Sequence, residues 1–382
     1  MRKNSNFSIN TTTVKSEFQS DSEAERVVLF RLVLPDDDIR TAEDDIKELA
    51  LLTKTAGGVV VGTMMQRRKA PDPAFFIGKG KVFELKELVE KTSAHTVICD
   101  DDLRPAQARN ISEILGDNIK VLDRSGLILD IFATHARTLE AKIQVELAQL
   151  EYMLPRLSGM WRHLERQYGA IGVRGPGEKQ LELDRRAIRH QISVLKKKLE
   201  NIESARRTQR KRRSNLFRVA LVGYTNAGKS SLLNRLTGAN VLVEDKLFAT
   251  LDATTRKLGD GNVNILITDT VGFIKKLPHD LIESFRSTLA EARESNILII
   301  VADGSHPAME QHIEIVHNEL DEIGASKNRI LVVNKIDLLT KERLAQIRRV
   351  FPDAHFTSAT DGTGIDALKS FIYEECEKNQ EW

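Results

Sequence analysis

The sequence predicts an α/β fold made of a small N-terminal parallel unit, a long antiparallel helical hairpin and a larger C-terminal α/β domain. Three observations carry this prediction. Strand-length apolar runs alternate with amphipathic helical runs over residues 27–136 and again beyond Phe217. Between them, from Arg137 to Arg213, two apolar stripes of helical spacing flank a glycine-rich break. A loop of the form G-x-x-x-x-G-K-S then follows directly on the apolar run FRVALV, Phe217 to Val222.

Taken in order, residues 1–26 are polar and rich in Ser, Thr and Asn, and are expected to be disordered. Over 27–136 the strand runs VVLFRLVL, GVVVGTMM, HTVICD and IKVLD alternate with the helical runs DDIKELALLTK, KVFELKELVEK and PAQARNISEIL. That is the pattern of a small parallel sheet with crossover helices, of which no catalytic role is expected. The hairpin occupies 137–215. Its first stripe is Leu139, Ile143, Leu147, Leu150, Leu154 and Leu157, and its second is Leu181, Ile188, Ile192, Leu195, Leu199 and Ile202. With charges between the apolar positions, the stripes face each other as an antiparallel pair. The break, Gln167 to Glu178, is longer than a turn between helices requires and carries one internal cation, Arg174. Two readings stay open: a working loop on rigid arms, or a disordered connector. The C-terminal domain spans 216–378, with a short tail at 379–382.

Composition narrows the class. A hydrophobic fraction of 41% over 382 residues can fill two or three ordinary cores. No apolar run is long enough to span a membrane, and the polar start lacks a signal-peptide core, so a cytoplasmic protein is expected. Cys99 and Cys376 form no disulfide framework or metal spacing. A net charge of +2 argues against indiscriminate polyanion binding, yet Arg206, Arg207, Arg210, Lys211, Arg212 and Arg213 lie together. Such a run is either a solvated helix end favoured by the dipole or an RNA contact.

The chemistry sits in the C-terminal domain. In Gly223-Tyr224-Thr225-Asn226-Ala227-Gly228-Lys229-Ser230 a buried strand stops, the backbone turns with N–H groups inward, and a helix beginning near Lys229 turns its positive end to the same anion, so a polyphosphate fits. At the end of the next apolar strand, Asp269-Thr270-Val271-Gly272 offers a carboxylate that holds Mg²⁺ through water and a glycine N–H that reaches a terminal phosphate. Asn334-Lys335-Ile336-Asp337 follows a further strand, and the Asp337 carboxylate suits the paired donors N1 and N2 of guanine. Adenine lacks that pair. Ser358-Ala359-Thr360 offers backbone N–H groups to the guanine O6. Phe248-Ala249-Thr250-Leu251-Asp252 lies where a nucleotide-sensing switch supplies a threonine hydroxyl to the metal. One such match can be accidental; five in this order point to a GTP site.

Residues 217–377 resemble a P-loop GTPase domain of the translation-factor-related class, and the chain from about residue 27 onward resembles the HflX family of ribosome-associated GTPases. The phrases that carry the narrower match are PDPAFFIGKGK (Pro71 to Lys81), Val121 to Leu157, GVRGPGEKQLELDRR (Gly172 to Arg186) and FATLDATTR (Phe248 to Arg256). Lys179, Leu183 and Ala253 depart from the family pattern without touching a metal or phosphate ligand. The resemblance implies a protein that binds GTP and GDP and contacts the large ribosomal subunit and its rRNA, with the hairpin tip near the peptidyl-transferase region; a monomer is expected. It also moves Arg174 and the basic run Arg206 to Arg213 toward ribosome contact. The activity expected is GTP hydrolysis in the splitting or rescue of stalled ribosomes. The alternatives are a ribosome-assembly or RNA-processing GTPase, and an RNA-binding module in which hydrolysis is incidental.

For hydrolysis, Lys229, Thr250 and Gly272 are the expected catalytic groups, with Ser230 and Thr250 on Mg²⁺. Many signalling GTPases have glutamine after the switch glycine; here it is Phe273, followed by Ile274, and neither accepts a hydrogen bond. Slow intrinsic hydrolysis follows, with water positioned by the switches or by a partner. Asn226 stands where related GTPases that lack the glutamine bind K⁺; capping of the loop backbone is the equal alternative.

Overall fold

The computed structural model describes residues 24–157, 176–211, 216–239, 247–248, 253–259, 265–276, 291–325 and 328–380, with side chains of the hairpin's second helix described over 181–205. The N-terminal unit runs β1 (Arg26–Val33), α1 (Ile39–Thr55), β2 (Val59–Arg67), α2 (Lys79–Thr92), β3 (Thr96–Cys99), α3 (Pro105–Leu115), β4 (Lys120–Asp123) and α4 (Arg124–His135). Its four strands are parallel in the order β2-β1-β3-β4. β1 is buried almost throughout, as expected of a strand covered by helices on both faces. The order reverses between β1 and β3, so a crevice opens beyond their C-terminal ends, the place where ligands sit on doubly wound sheets.

α4 was not anticipated as a helix of its own. It begins where Asp123 accepts a hydrogen bond from the Gly126 N–H at 2.9 Å, and its Leu127, Ile128, Ile131 and Phe132 are buried. The continuous apolar run gives it no polar face to read.

In the hairpin, α5 (Leu139–Met153) packs against α6 (Pro176–Lys211). Ile143, Leu147 and Leu195 form a buried seam, flanked by Leu150, Ile192, Leu199 and Ile202. Lys196 bridges to Glu151 across it at 2.8 Å. Leu139 does not join the seam: it is 71% exposed, because Thr138 caps the helix there through the Ala141 N–H and the stripe starts a turn later. The tip 167–175 lies outside the described residues, as do Arg174, Arg212 and Arg213 and the side chains of Arg206, Arg207, Arg210 and Lys211.

The C-terminal domain holds β5 (Phe217–Gly223), α7 (Lys229–Thr237), β6 (Thr254–Leu258), β7 (Ile265–Asp269), β8 (Ile297–Asp303), α8 (Met309–Glu322), β9 (Arg329–Asn334), α9 (Lys341–Val350), β10 (His355–Phe356) and α10 (Ile365–Gln380). The sheet order is β10-β9-β8-β5-β7-β6, parallel except for β6 against β7. Here the order reverses between β5 and β8. One hydrophobic core is common to both sheets: Leu29, Leu49, Ile98, Ile128 and Phe132 pack with Tyr224, Leu247, Phe248, Val271 and Ile274. The two switch points therefore share a boundary.

Candidate functional site

β5 delivers the phosphate loop. Gly223 ends the strand and Gly228 has a φ of 90°; a Cβ on Gly228 would stand 2.3 Å from Asn334 Nδ2, so only glycine lets the loop pass the turn that follows β9. Asn334 is buried and ties the two together: its Nδ2 donates to Ala227 O at 3.1 Å, and its Oδ1 accepts from the Ala359 N–H at 3.1 Å. The loop, the N-K-I-D turn and the S-A-T segment are thereby one rigid assembly. Lys335 adopts a φ of 61° and pairs with Asp303 at 2.7 Å, which leads into the single 3-10 turn Ile336–Leu338 and leaves Asp337 exposed. In S-A-T, the Ser358 N–H is engaged by Thr363 O at 2.9 Å and the Ala359 N–H by Asn334. Arg235 of α7 donates to the carbonyls of Ala359 and Thr360 at 3.0 and 2.6 Å, which ties that segment to the helix opened by Lys229.

Lys229 is buried, and its Nζ donates to Gly223 O at 3.1 Å and Tyr224 O at 2.9 Å. Burial pushes its ammonium down to about 8 against the pull of Asp269; a bound polyphosphate would reverse that by supplying negative charge. Ser230 Oγ lies 2.5 Å from Asp269 Oδ2, so two hard oxygen donors meet at the helix start. That donor set suits Mg²⁺, which keeps most of its water and takes few protein ligands.

After Asp269 the chain crosses the phosphate loop. Thr270 N–H donates to Leu221 O at 3.2 Å, Thr225 N–H to Phe273 O at 2.8 Å, and Phe273 N–H to Gly223 O at 3.0 Å. Gly272 passes so close that a Cβ there would stand 2.9 Å from Lys229 Nζ and 2.9 Å from Thr225 Cα. Its N–H makes no hydrogen bond among the described residues. Phe273 and Ile274 are buried in apolar cores, so neither side chain is turned to solvent at the phosphates. Phe248 lies edge-on to Phe132 of α4 with centroids 4.7 Å apart; Ala249, Thr250, Leu251 and Asp252 lie outside the described residues. Asn226 has a φ of 62° at the turn of the loop.

One part of the site left no motif. Tyr224 is buried, with its ring stacked on His312 of α8 at 3.7 Å and 1°. Burial, with His306 beside it, pushes His312 down to about 4, so the stacked ring is neutral. The Tyr224 hydroxyl donates to Glu48 of α1 and accepts from the Lys275 N–H at 2.8 Å. Lys275 Nζ reaches Asp45 at 2.7 Å, and Lys276 Nζ reaches Asp100 at 2.8 Å and Asp101. Arg124 joins Asp100 to Glu48, and Arg31 joins Asp100 to Asp45. The crevice of the N-terminal sheet is thus filled by two lysines of the segment that follows Gly272. The run Asp100-Asp101-Asp102 at a strand end and the pair Lys275-Lys276 were the available signals, but a charge run reads as a solvated face.

A strand, glycine turn and helix start with a buried lysine, joined through Asn334 to the turn after a second strand of the same sheet, define the class: the fold is that of a P-loop GTPase. Residues 43–133 match the family profile of the GTP-binding GTPase N-terminal region, 135–213 that of the middle region and 218–335 that of the 50S ribosome-binding GTPase. The chain is 49% identical to the GTPase HflX of Flavobacterium psychrophilum over 314 residues, 82% of this chain and 76% of the relative. To the GTPase HflX of Escherichia coli it is 44% identical over 337 residues, 87% of this chain and 79% of the relative. Among solved structures, SsGBP in complex with GDP is similar at 27% identity and a TM-score of 0.52, covering 93% of this chain and 99% of that one. The chain belongs to the HflX family of GTPases.

Proposed function

We propose that this GTPase binds the large ribosomal subunit in its GTP state, hydrolyses GTP there, and acts in splitting stalled ribosomes. The observation that carries the reading is the shared core. Leu247, Phe248, Val271 and Ile274, from the two nucleotide-sensing segments, pack with the N-terminal sheet and α4, and α4 packs against the first arm of the hairpin. A change at the terminal phosphate is thereby felt by the parts that would grip RNA. The family profile over 218–335 carries the description 50S ribosome-binding GTPase, which supports the choice of partner.

In this reading the loop Gly223 to Ser230 cradles the phosphates, with Lys229 neutralising the charge that develops on them. Ser230 and Thr250 would hold Mg²⁺, with Asp269 reaching it through water, and the ion would supply neutralisation of the phosphate charge. Gly272 N–H meets the terminal phosphate, and Asp337 accepts from guanine N1 and N2, with Asn334 bracing the loop beneath. Phe273 positions no water, so intrinsic turnover is slow and the docked subunit completes the site. Asn226 would hold K⁺ beside the phosphates, where the ion would offset developing negative charge. Arg174 at the hairpin tip and Arg206, Arg207, Arg210, Lys211, Arg212 and Arg213 at its base contact rRNA, and the protein acts in the cytoplasm as a monomer. Among the described residues no helix is long and apolar enough to cross a membrane.

Light scattering of intact ribosomes tests this reading. With the protein and GTP the signal falls as subunits part, and with GDP it does not. A signal that stays flat while precursor subunits stimulate hydrolysis would favour the assembly role instead.

A further inference from the structure

One helix serves both ends of the nucleotide site. α7 opens at Lys229 against the phosphate loop, and further along it Arg235 reaches the S-A-T segment: its Nε donates to Ala359 O at 3.0 Å and its Nη2 to Thr360 O at 2.6 Å. Two donors from one planar guanidinium fix a direction that a single hydrogen bond leaves free to swing.

That direction matters because most of the segment's own amides are already committed. The Ser358 N–H donates to Thr363 O at 2.9 Å, the Ala359 N–H to Asn334 Oδ1 at 3.1 Å, and the Asp361 N–H to Ser358 Oγ at 3.2 Å. The Gly362 N–H donates to Ser358 O at 2.9 Å and the Thr363 N–H to Asp361 Oδ1 at 2.8 Å, so the turn closes on itself. The Thr360 N–H makes no hydrogen bond among the described residues. It shares a peptide plane with Ala359 O, and in a trans peptide the N–H and the C=O point in opposite directions. By holding Ala359 O, Arg235 therefore turns the Thr360 N–H away from α7, and by holding Thr360 O it fixes the next plane as well.

We propose that Arg235 is a positioning residue for guanine recognition: from the helix that carries Lys229 it sets the Ala359–Thr360 peptide so that the Thr360 amide meets the base O6, without touching the nucleotide itself. The proposal rests on the reading of S-A-T as the O6 contact. Asp337, on a different turn, reads the N1 and N2 edge, so the two halves of base recognition can be measured apart.

Equilibrium binding to the full chain is measured for three nucleotides. GDP is the reference. 6-Thioguanosine diphosphate keeps N1–H and the 2-amino group but replaces O6 by a larger sulfur that accepts hydrogen bonds weakly, and inosine diphosphate keeps O6 and N1–H but lacks the 2-amino group. The unaltered protein prefers GDP to the thio analogue by about tenfold, the scale of one well-aimed hydrogen bond. In Arg235→Ala the affinity for GDP falls about three- to tenfold, the preference over the thio analogue shrinks to within about twofold, and the preference over inosine diphosphate is retained. Arg235 is exposed and alanine is the strongest helix former, so α7 persists in this variant. Arg235→Lys, with one ammonium for two carbonyls, recovers part of the lost preference. Full discrimination against the thio analogue in Arg235→Ala, or an equal loss of discrimination against both analogues, would overturn the proposal, the second because it marks a general loosening of the pocket. An unaltered protein that binds GDP and the thio analogue equally would remove the O6 contact itself, and the proposal with it; a failure confined to the Arg235 variants leaves that contact standing.

Discussion

Lys276 Nζ lies 2.8 Å from Asp100 Oδ2 across the boundary between the two sheets, and the same carboxylate accepts from Arg31 and Arg124, each at 2.8 Å. Asp100 is fully buried, whereas the Lys276 side chain is 30% exposed. Its role therefore differs from that of its partner. Asp100 compensates two buried guanidinium groups inside its own unit, and Lys276 adds a contact from outside.

Asp100→Ala is expected to destabilise the N-terminal unit by about 3–5 kcal/mol, since Arg31 and Arg124 lose the charge that offsets their desolvation. Lys276→Ala is expected to cost about 1 kcal/mol or less, because the lysine is partly exposed and Asp100 keeps Arg31 and Arg124 as partners. Guanidinium unfolding of the two variants measures the difference. Equal losses would mean that Asp100 serves the boundary rather than its own core.

Acid should weaken the contact between Asp45 and Lys275. Burial alone would raise the Asp45 carboxyl, but hydrogen bonds from Lys275 and Arg31 outweigh it and hold the group below the usual aspartate range. A carboxyl depressed in the folded state contributes stability that is fully present above its unfolded pKa, near 4, and that is lost as pH falls through the folded value. Thermal midpoints recorded downward from pH 6 should fall below about pH 4, and the fall should be shallower in Lys275→Ala, which removes one of the two cations. Identical slopes would exclude the Asp45–Lys275 contact as a source.

Asp337→Asn should weaken GTP and favour xanthosine triphosphate, because an amide donates to the xanthine carbonyl where the carboxylate accepted from guanine. A charge-assisted pair is worth about 1.5–3 kcal/mol per bond, so the preference should shift by at least tenfold. Competition binding reads it directly, and retained guanine preference would remove Asp337 from base recognition.

Replacing K⁺ by Na⁺ should slow hydrolysis several-fold, and Asn226→Ala should abolish the difference, since a cation beside the phosphates can offset transition-state charge as an arginine does. Equal rates in both salts would make Asn226 a loop-shaping residue, a role its φ of 62° also fits.

The phosphate loop and the N-K-I-D turn were legible because their spacing is local: strand, glycine turn and helix start follow within a dozen residues, and hydrogen bonds from Asn334 lock the two motifs together as expected of one nucleotide site. The parallel N-terminal sheet was legible for the same reason, through strand and helix periods in alternation. The boundary between the units was not. Lys276 and Asp100 are 176 residues apart, and a surface lysine pair has the same composition as a lysine pair that plugs an acidic crevice. Nor does a tyrosine in the loop's second position reveal that its hydroxyl is answered by Glu48. α4 was missed because a helix buried on most sides has no amphipathic stripe, and Leu139 was assigned to a stripe by spacing alone although the packed seam begins a turn later.

Co-sedimentation with separated ribosomal subunits reads whether GTP governs the grip on the large subunit. The protein should pellet with the large subunit in a non-hydrolysable GTP analogue, stay in the supernatant with GDP, and leave the small subunit alone in both. Equal recovery with GDP and the analogue, or recovery with the small subunit, would contradict it.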